Sequence, residues 1–156
     1  MSSQTILTSL LREFFSNVAS TNTTLYLEDP SFTLLPGTTT YTNPNYNAMV
    51  TTFNTFCNDA SSALFAVRGL VTLPDGTTVY DSNRVNTATA ARNKTINENH
   101  NTRQVIMKAI LGPQGQYQYE GKYSTSDGAY ESYIASCIGG DGVTSLGCVR
   151  LSLIDR

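Results

Sequence analysis

Tryptophan is absent, histidine occurs once, and only 14% of the residues are charged. Each scarcity excludes a class of function. One histidine and three cysteines (Cys57, Cys137 and Cys148), without paired ligand spacing, do not furnish a usual zinc set, so no metal site and no cofactor is expected. A net charge of −2 supplies no basic field for a polyanion, which argues against nucleic acid as a partner. Five of the ten basic residues (Arg84, Arg92, Lys94, Arg103 and Lys108) do fall between positions 84 and 108, with Glu98 the one acid among them. A solvated loop and helix face accounts for that strip. No apolar run approaches the ~18 residues of a membrane-spanning helix, and Met1-Ser2-Ser3-Gln4 lacks the basic start of an export signal. A soluble chain is therefore expected, intracellular or within a viral particle.

What is present is 156 residues rich in Thr and Asn, with 40% hydrophobic residues and nine tyrosines. That length predicts one domain, able to bury about two-thirds of the surface its unfolded chain exposes. Residues 4 to 19 predict an amphipathic helix: Ile6, Leu10, Phe14 and Val18 step by four, beside Leu7, Leu11 and Phe15. Ser2 or Ser3 suits its cap. So wide a stripe must cover either the domain's own core or a partner. Residues 21 to 45 form an irregular, Thr/Asn/Pro/Gly-rich wrap, with turns at Asp29-Pro30 and Pro36-Gly37. Such a long connection suits either a wrap of the domain or a contact with a neighbouring subunit.

A second helix is expected over 45–62, from the spacing of Tyr46, Met49, Val50, Phe53, Phe56 and Cys57. Its threonines weaken intrinsic propensity, so packing must hold it. Strand-like alternation follows, with Phe65, Val67, Val71 and Leu73 set against Arg68 and Thr72. Pro74-Asp75-Gly76 turns the chain into a second strand, 77–81. Residues 83–98 predict a polar surface excursion, and 101–111 a short helix capped by Asn99 or Asn101 and stopped by Gly112-Pro113. Three strands close the chain, at 116–125, 129–138 and 146–154, joined by turns at 126–128 and 139–142. The fold class expected is α+β: a five-stranded antiparallel sheet with the N-terminal helices packed on one face. Cys137 and Cys148 fall on neighbouring predicted strands; a disulfide fits that placement, while buried thiols suit a reducing compartment.

From about 65 to 154 the chain resembles the extracytoplasmic PAS-like, single-Cache sensor domains of bacterial histidine kinases, particularly the phosphate-regulon type. The likeness rests on the run from Asp75 to Ser82 (DGTTVYDS), on Glu98-Asn99-His100 with Arg103 three residues on, and on Leu111-Gly112. It continues through Tyr123-Ser124, Tyr133-Ile134-Ala135 and Val149-Arg150-Leu151-Ser152-Leu153. The resemblance implies a five-stranded antiparallel PAS/Cache-like core over 46–156, with the helix of residues 1–20 behind it. It also implies a non-enzymatic module that senses a ligand or associates with protein. Three departures stand beside it. Gln104 occupies the position where the family usually has proline, residues 83–98 are longer and more polar than usual, and residues 21–45 match no part of the pattern.

Asp81, His100 and Arg103 make the sharpest constellation. In one reading His100 and Arg103 grip a small carboxylate or phosphate, helped by the positive end of the following helix. In the other, which is favoured, Arg103 pairs with Asp81 and locks helix to hairpin. The candidate ligand-binding residues are thus Tyr80, Asp81, His100, Arg103, Tyr123 and Tyr133. The tyrosine series (Tyr117, Tyr119, Tyr123, Tyr130, Tyr133) suits a pocket, an interface or a face packed under a helix. Ser82, His100 and Asp81 do not make a hydrolytic triad, because Asp81 adjoins Ser82 with its side chain on the opposite strand face. Glu120 and Glu131 lie on adjacent strands, where a solvated role is simpler than a catalytic pair. No catalytic residue is expected. The function expected is binding, of a small anionic ligand or of protein neighbours through residues 1–45, as a homo-oligomer or otherwise. The alternative is a structural component of a larger assembly such as a virion, reusing a sensor fold.

Overall fold

The alternating and three-four patterns become real faces in the computed structural model, which describes residues 2–17, 44–82, 104–113, 116–124, 130–139 and 145–155. The wrap, the 83–98 excursion, Asn99, His100, Asn101, Arg103 and the 126–128 turn lie outside the described residues.

Helix α1 spans Ser3–Asn17. Ser2 caps it, its Oγ accepting the Thr5 backbone N–H at 3.2 Å. Leu7, Leu11 and Phe14 are buried on the domain's own sheet, so the stripe covers this core. Helix α2 spans Pro44–Ala60, with proline at a helix start where its missing N–H costs nothing. Its last turn closes through Ser61, whose hydroxyl donates to the Cys57 carbonyl at 2.8 Å and accepts the Val67 N–H at 2.9 Å. That one side chain joins helix end to strand start. Tyr46, Met49, Phe53, Phe56 and Cys57 point inward, as their spacing predicts. The aromatic centre is dense: Phe53 stacks 4.6 Å from Phe14 and 5.0 Å from Tyr80, between ring centroids.

The five strands are β1 (Phe65–Thr72), β2 (Thr78–Asp81), β3 (Gln118–Ser124), β4 (Tyr130–Gly139) and β5 (Ser145–Asp155). They form one antiparallel sheet in the order β2-β1-β5-β4-β3. The C-terminal strand is thus central, between β1 and β4 in unbroken register with β1 from Phe65↔Asp155 to Thr72↔Cys148. The β1–β2 hairpin is closed by Gly76 N–H to Leu73 O and Leu73 N–H to Thr77 O, while the Asp75 carboxylate accepts the Thr77 N–H.

Because strand side chains alternate, the sheet has two distinct faces. Val67, Val71, Ile134, Ile138, Val149, Leu151 and Leu153 meet α1 and α2 in the main core. The opposite face carries a third helix, α3 (Gln104–Leu111), whose Ile106, Ala109 and Ile110 pack on Ala135 and Cys148. The expected sheet with N-terminal helices on one face is present, and α3 adds a cover on the other. In β3 the register shifts between Glu120 and Tyr123, so the strict alternation of Tyr117, Tyr119 and Tyr123 does not run through the strand. Tyr117 and Tyr119 pack against the main core, whereas Tyr133 stands on the α3 side. The tyrosines therefore divide between two faces.

Candidate ligand-binding face of the sheet

The α3 side of the sheet is polar and buried, a combination that marks it out. From β2 across to β3 the register aligns Asp81, Leu70, Arg150, Ala135 and Gln118 in one row. A second row runs Arg68, Ser152, Tyr133, Glu120. A third holds Thr78, Thr72, Cys148 and Cys137. Arg68, Thr72, Thr78, Asp81, Tyr133, Arg150 and Ser152 all lie below a tenth exposed.

The charged groups of this face have defined partners. Arg68 grips Asp81 with Nε to Oδ1 at 2.9 Å and Nη2 to Oδ2 at 2.6 Å. Arg150 lays its guanidinium over the Tyr133 ring, 5.0 Å from the centroid. The Tyr133 hydroxyl in turn donates to Glu120 Oε2 at 2.6 Å. Glu120 faces Tyr133 in the register, not Glu131, which pairs with Tyr123. Three hydroxyls differ from these. Thr72 Oγ1, Thr78 Oγ1 and Ser152 Oγ are buried and have no hydrogen-bond partner among the described residues. Thr72 and Thr78 sit directly opposite each other without bonding.

The Tyr80-Asp81-Ser82 step sends its three side chains to three places. Asp81 turns to the polar face and Arg68. Tyr80 turns to the other face, where its hydroxyl donates to Asn54 Oδ1 of α2 at 2.5 Å. The Ser82 hydroxyl accepts the Gly69 N–H at 3.0 Å and hydrogen-bonds the Cys57 thiol. Burial pushes that thiol from 9.0 up to about 12, against the lowering effect of the Ser82 bond, with the Asp81 charge adding to the rise. Tyr80 is also raised well above its ordinary value, by burial first and then by the neighbouring Cys57, Asp81 and Tyr46. Neither group is prepared to act as a nucleophile or base.

Of the residues nominated from sequence, Asp81 and Tyr133 share the polar face, three strand spacings across and two residues along, about 16 Å apart. Tyr80 stands on the helix side. The Tyr123 side chain, His100 and Arg103 lie outside the described residues, as does the expected Arg103–Asp81 pair; the described partner of Asp81 is Arg68. Cys137 and Cys148 are register partners, and Cys57 and Cys148 are buried thiols. Among the described residues no cluster of three His, Cys, Asp or Glu stands ready for a metal. No described helix is long and apolar enough to cross a membrane. Sequence reasoning did not single out Arg68, Thr72, Thr78, Arg150 and Ser152 as a group. The signal was available in the polar halves of the β1 and β5 alternations. No family model matches the chain, and no curated protein matches it either.

Proposed function

We propose that this chain is a non-catalytic binding module that holds a small polar, anionic ligand on the α3 side of its sheet. The observation that carries this reading is the set of three buried hydroxyls, Thr72, Thr78 and Ser152, without partners among the described residues. A buried polar group left unsatisfied costs about 1–3 kcal/mol, and three of them lie on one face. A ligand offering donors and acceptors would recover that cost. The face carries two arginines, Arg68 and Arg150, and two carboxylates, Asp81 and Glu120, so the reading rests on the hydroxyls and not on net charge. The Cys57 thiol, raised to about 12, and the Tyr80 hydroxyl, also raised, lie in the core on the opposite face of the sheet and take no part in this site. The resemblance to PAS/Cache sensor domains supports the same reading at the level of fold.

Thermal melts with a panel of carboxylates, sugar acids and inorganic phosphate at millimolar concentration test it. A ligand at 100 times its Kd stabilises by about 2.7 kcal/mol, which raises the melting temperature by several degrees. Replacing Arg150 with Gln is expected to remove that rise. A panel in which no anion shifts the melt overturns the reading.

A further inference from the structure

Three cysteines allow three pairings, Cys57 with Cys137, Cys57 with Cys148 and Cys137 with Cys148, and the fold discriminates among them. Cys57 belongs to α2 and the main core, where its Sγ lies close against the β1 backbone at Gly69. Cys148 is buried on the opposite face of the sheet, packed with Ile106, Ala109 and Ile110 of α3. The sheet itself therefore stands between Cys57 and Cys148. Cys137 is the register partner of Cys148, within a stretch that runs unbroken from Glu131↔Ile154 to Ile138↔Gly147. Directly opposite residues of an antiparallel pair share a face, with Cα atoms about 4.5 or about 5.5 Å apart. Both separations fall within the range of about 4.4–6.8 Å that a disulfide spans between Cα atoms.

We propose that Cys137 and Cys148 are a disulfide-forming pair, joined when the chain folds under oxidising conditions, and that Cys57 stays a thiol. This is independent of the binding reading above. Burial decides when the bond forms. Cys148 is fully covered in the finished fold, so an oxidant meets it in the unfolded and folding chain. The oxidant is a small-molecule disulfide such as oxidised glutathione. One cysteine thiolate attacks it, forming a mixed disulfide and expelling one small thiol. The second attacks the protein sulfur of that mixed disulfide, which closes the cross-strand S–S bond and expels the other small thiol. Two protein thiols thus give up two electrons and two protons, which leave on the two small thiols. Exchange among the three cysteines settles on the pair that the native register holds together. The packing of α3 then screens the bond, so its reduction needs local opening of that helix.

Refolding the full chain from urea in a mixture of oxidised and reduced glutathione, then alkylating it in denaturant and mapping tryptic peptides by mass, tests the proposal. Trypsin cuts after Arg12, Arg68, Lys122 and Arg150, so Cys57 falls in one peptide and Cys137 with Cys148 in another. Peptide 123–150 is expected to be two hydrogens lighter than its reduced form and to take up no alkyl group until reduced. Peptide 13–68 is expected to be alkylated throughout. Cys57→Ser should leave that pattern in place, and Cys148→Ser should abolish it. The oxidised wild type is expected to melt at least about 3 °C above the reduced chain, and Cys57→Ser to keep that gap. Alkylation of all three cysteines, a persistent mixed disulfide with glutathione, or a crosslink that includes Cys57 overturns the pairing. An oxidised chain that melts below the reduced one overturns it as well, because the bond then strains the ladder.

Discussion

Arg68 holds both carboxylate oxygens of Asp81 from the neighbouring strand, at 2.9 and 2.6 Å, with Asp81 fully buried. The pair ties β2, a strand of only four residues at the sheet edge, to β1. A short edge strand has little ladder of its own, so the side-chain bridge sets where it ends.

Breaking that pair from one side leaves a buried charge uncompensated. Asp81→Ala is expected to cost about 3–5 kcal/mol in urea unfolding. Removing both charges together, as Arg68→Met with Asp81→Leu, is expected to recover most of the loss, because the desolvation penalty disappears with the ions. A double variant as unstable as the single one would show that the pair does more than neutralise itself.

Two glycines predict opposite kinds of damage. A Cβ on Gly69 would lie 2.1 Å from Phe53 Cε1 and 3.0 Å from Cys57 Sγ, so the β1 backbone touches the α2 ring directly. Gly69→Ala is expected to cost about 1–3 kcal/mol by overpacking, and Phe53→Leu in the same chain to relieve part of it. Gly147 has φ 130°, and its Cβ would lie 2.1 Å from the Thr72 carbonyl oxygen. That obstacle is backbone, so Gly147→Ala is expected to cost more and to resist rescue by any side-chain change. Thermal melts of the two single variants and the double variant separate the cases.

The thiol of Cys57 makes stability depend on pH in the alkaline range. Its value is near 9.0 ordinarily and about 12 in the fold, so the thiol form is favoured by folding. Between those values the unfolded chain gives up its proton while the folded chain keeps it. The unfolded state then binds fewer protons, and stability falls as pH rises, by at most about 1.4 kcal/mol per pH unit from this group. Below pH 9 the contribution is fully present. Tyr80 acts with the same sign at higher pH, because its folded value is also raised. Cys57→Ala is therefore expected to show a shallower decline in melting temperature between about pH 9 and pH 11 than the wild type. Equal slopes would mean that the thiol is not desolvated.

Much of the architecture was legible because hydrophobic period reports on local structure. Leu7, Leu11 and Phe14 announced α1, and Val149, Leu151 and Leu153 announced the inward face of β5. The same alternation set Arg68 and Thr72 opposite the apolar side of β1, and Arg150 and Ser152 opposite that of β5, without joining the two pairs. It gave no sign that this face is buried, since alternation fixes which residues face together and not what covers them. Burial of that half follows from β1 and β5 being central in the sheet and from α3 lying across it, and strand order is a long-range property. The shift between Glu120 and Tyr123 was equally hidden, because a bulge leaves the sequence pattern of β3 looking regular.

Tyr80 and Tyr133 separate the two faces experimentally. Both are fully buried tyrosines with a bonded hydroxyl, but Tyr80 donates to Asn54 under α2 and Tyr133 to Glu120 on the α3 side. Each Tyr→Phe change removes one hydrogen bond and is expected to cost about 0.5–1.5 kcal/mol, or more for Tyr133, whose partner is a carboxylate. Their effects on ligand response are expected to differ. Tyr80→Phe alters only the helix-side core and leaves the anion-induced rise in melting temperature as it is. Tyr133→Phe removes the hydroxyl that bonds Glu120, on the ring that supports Arg150 within the proposed face. That variant is expected to bind the anion more weakly by about 1 kcal/mol, roughly fivefold in Kd. A ligand response lost in Tyr80→Phe and kept in Tyr133→Phe would place the binding face on the opposite side of the sheet.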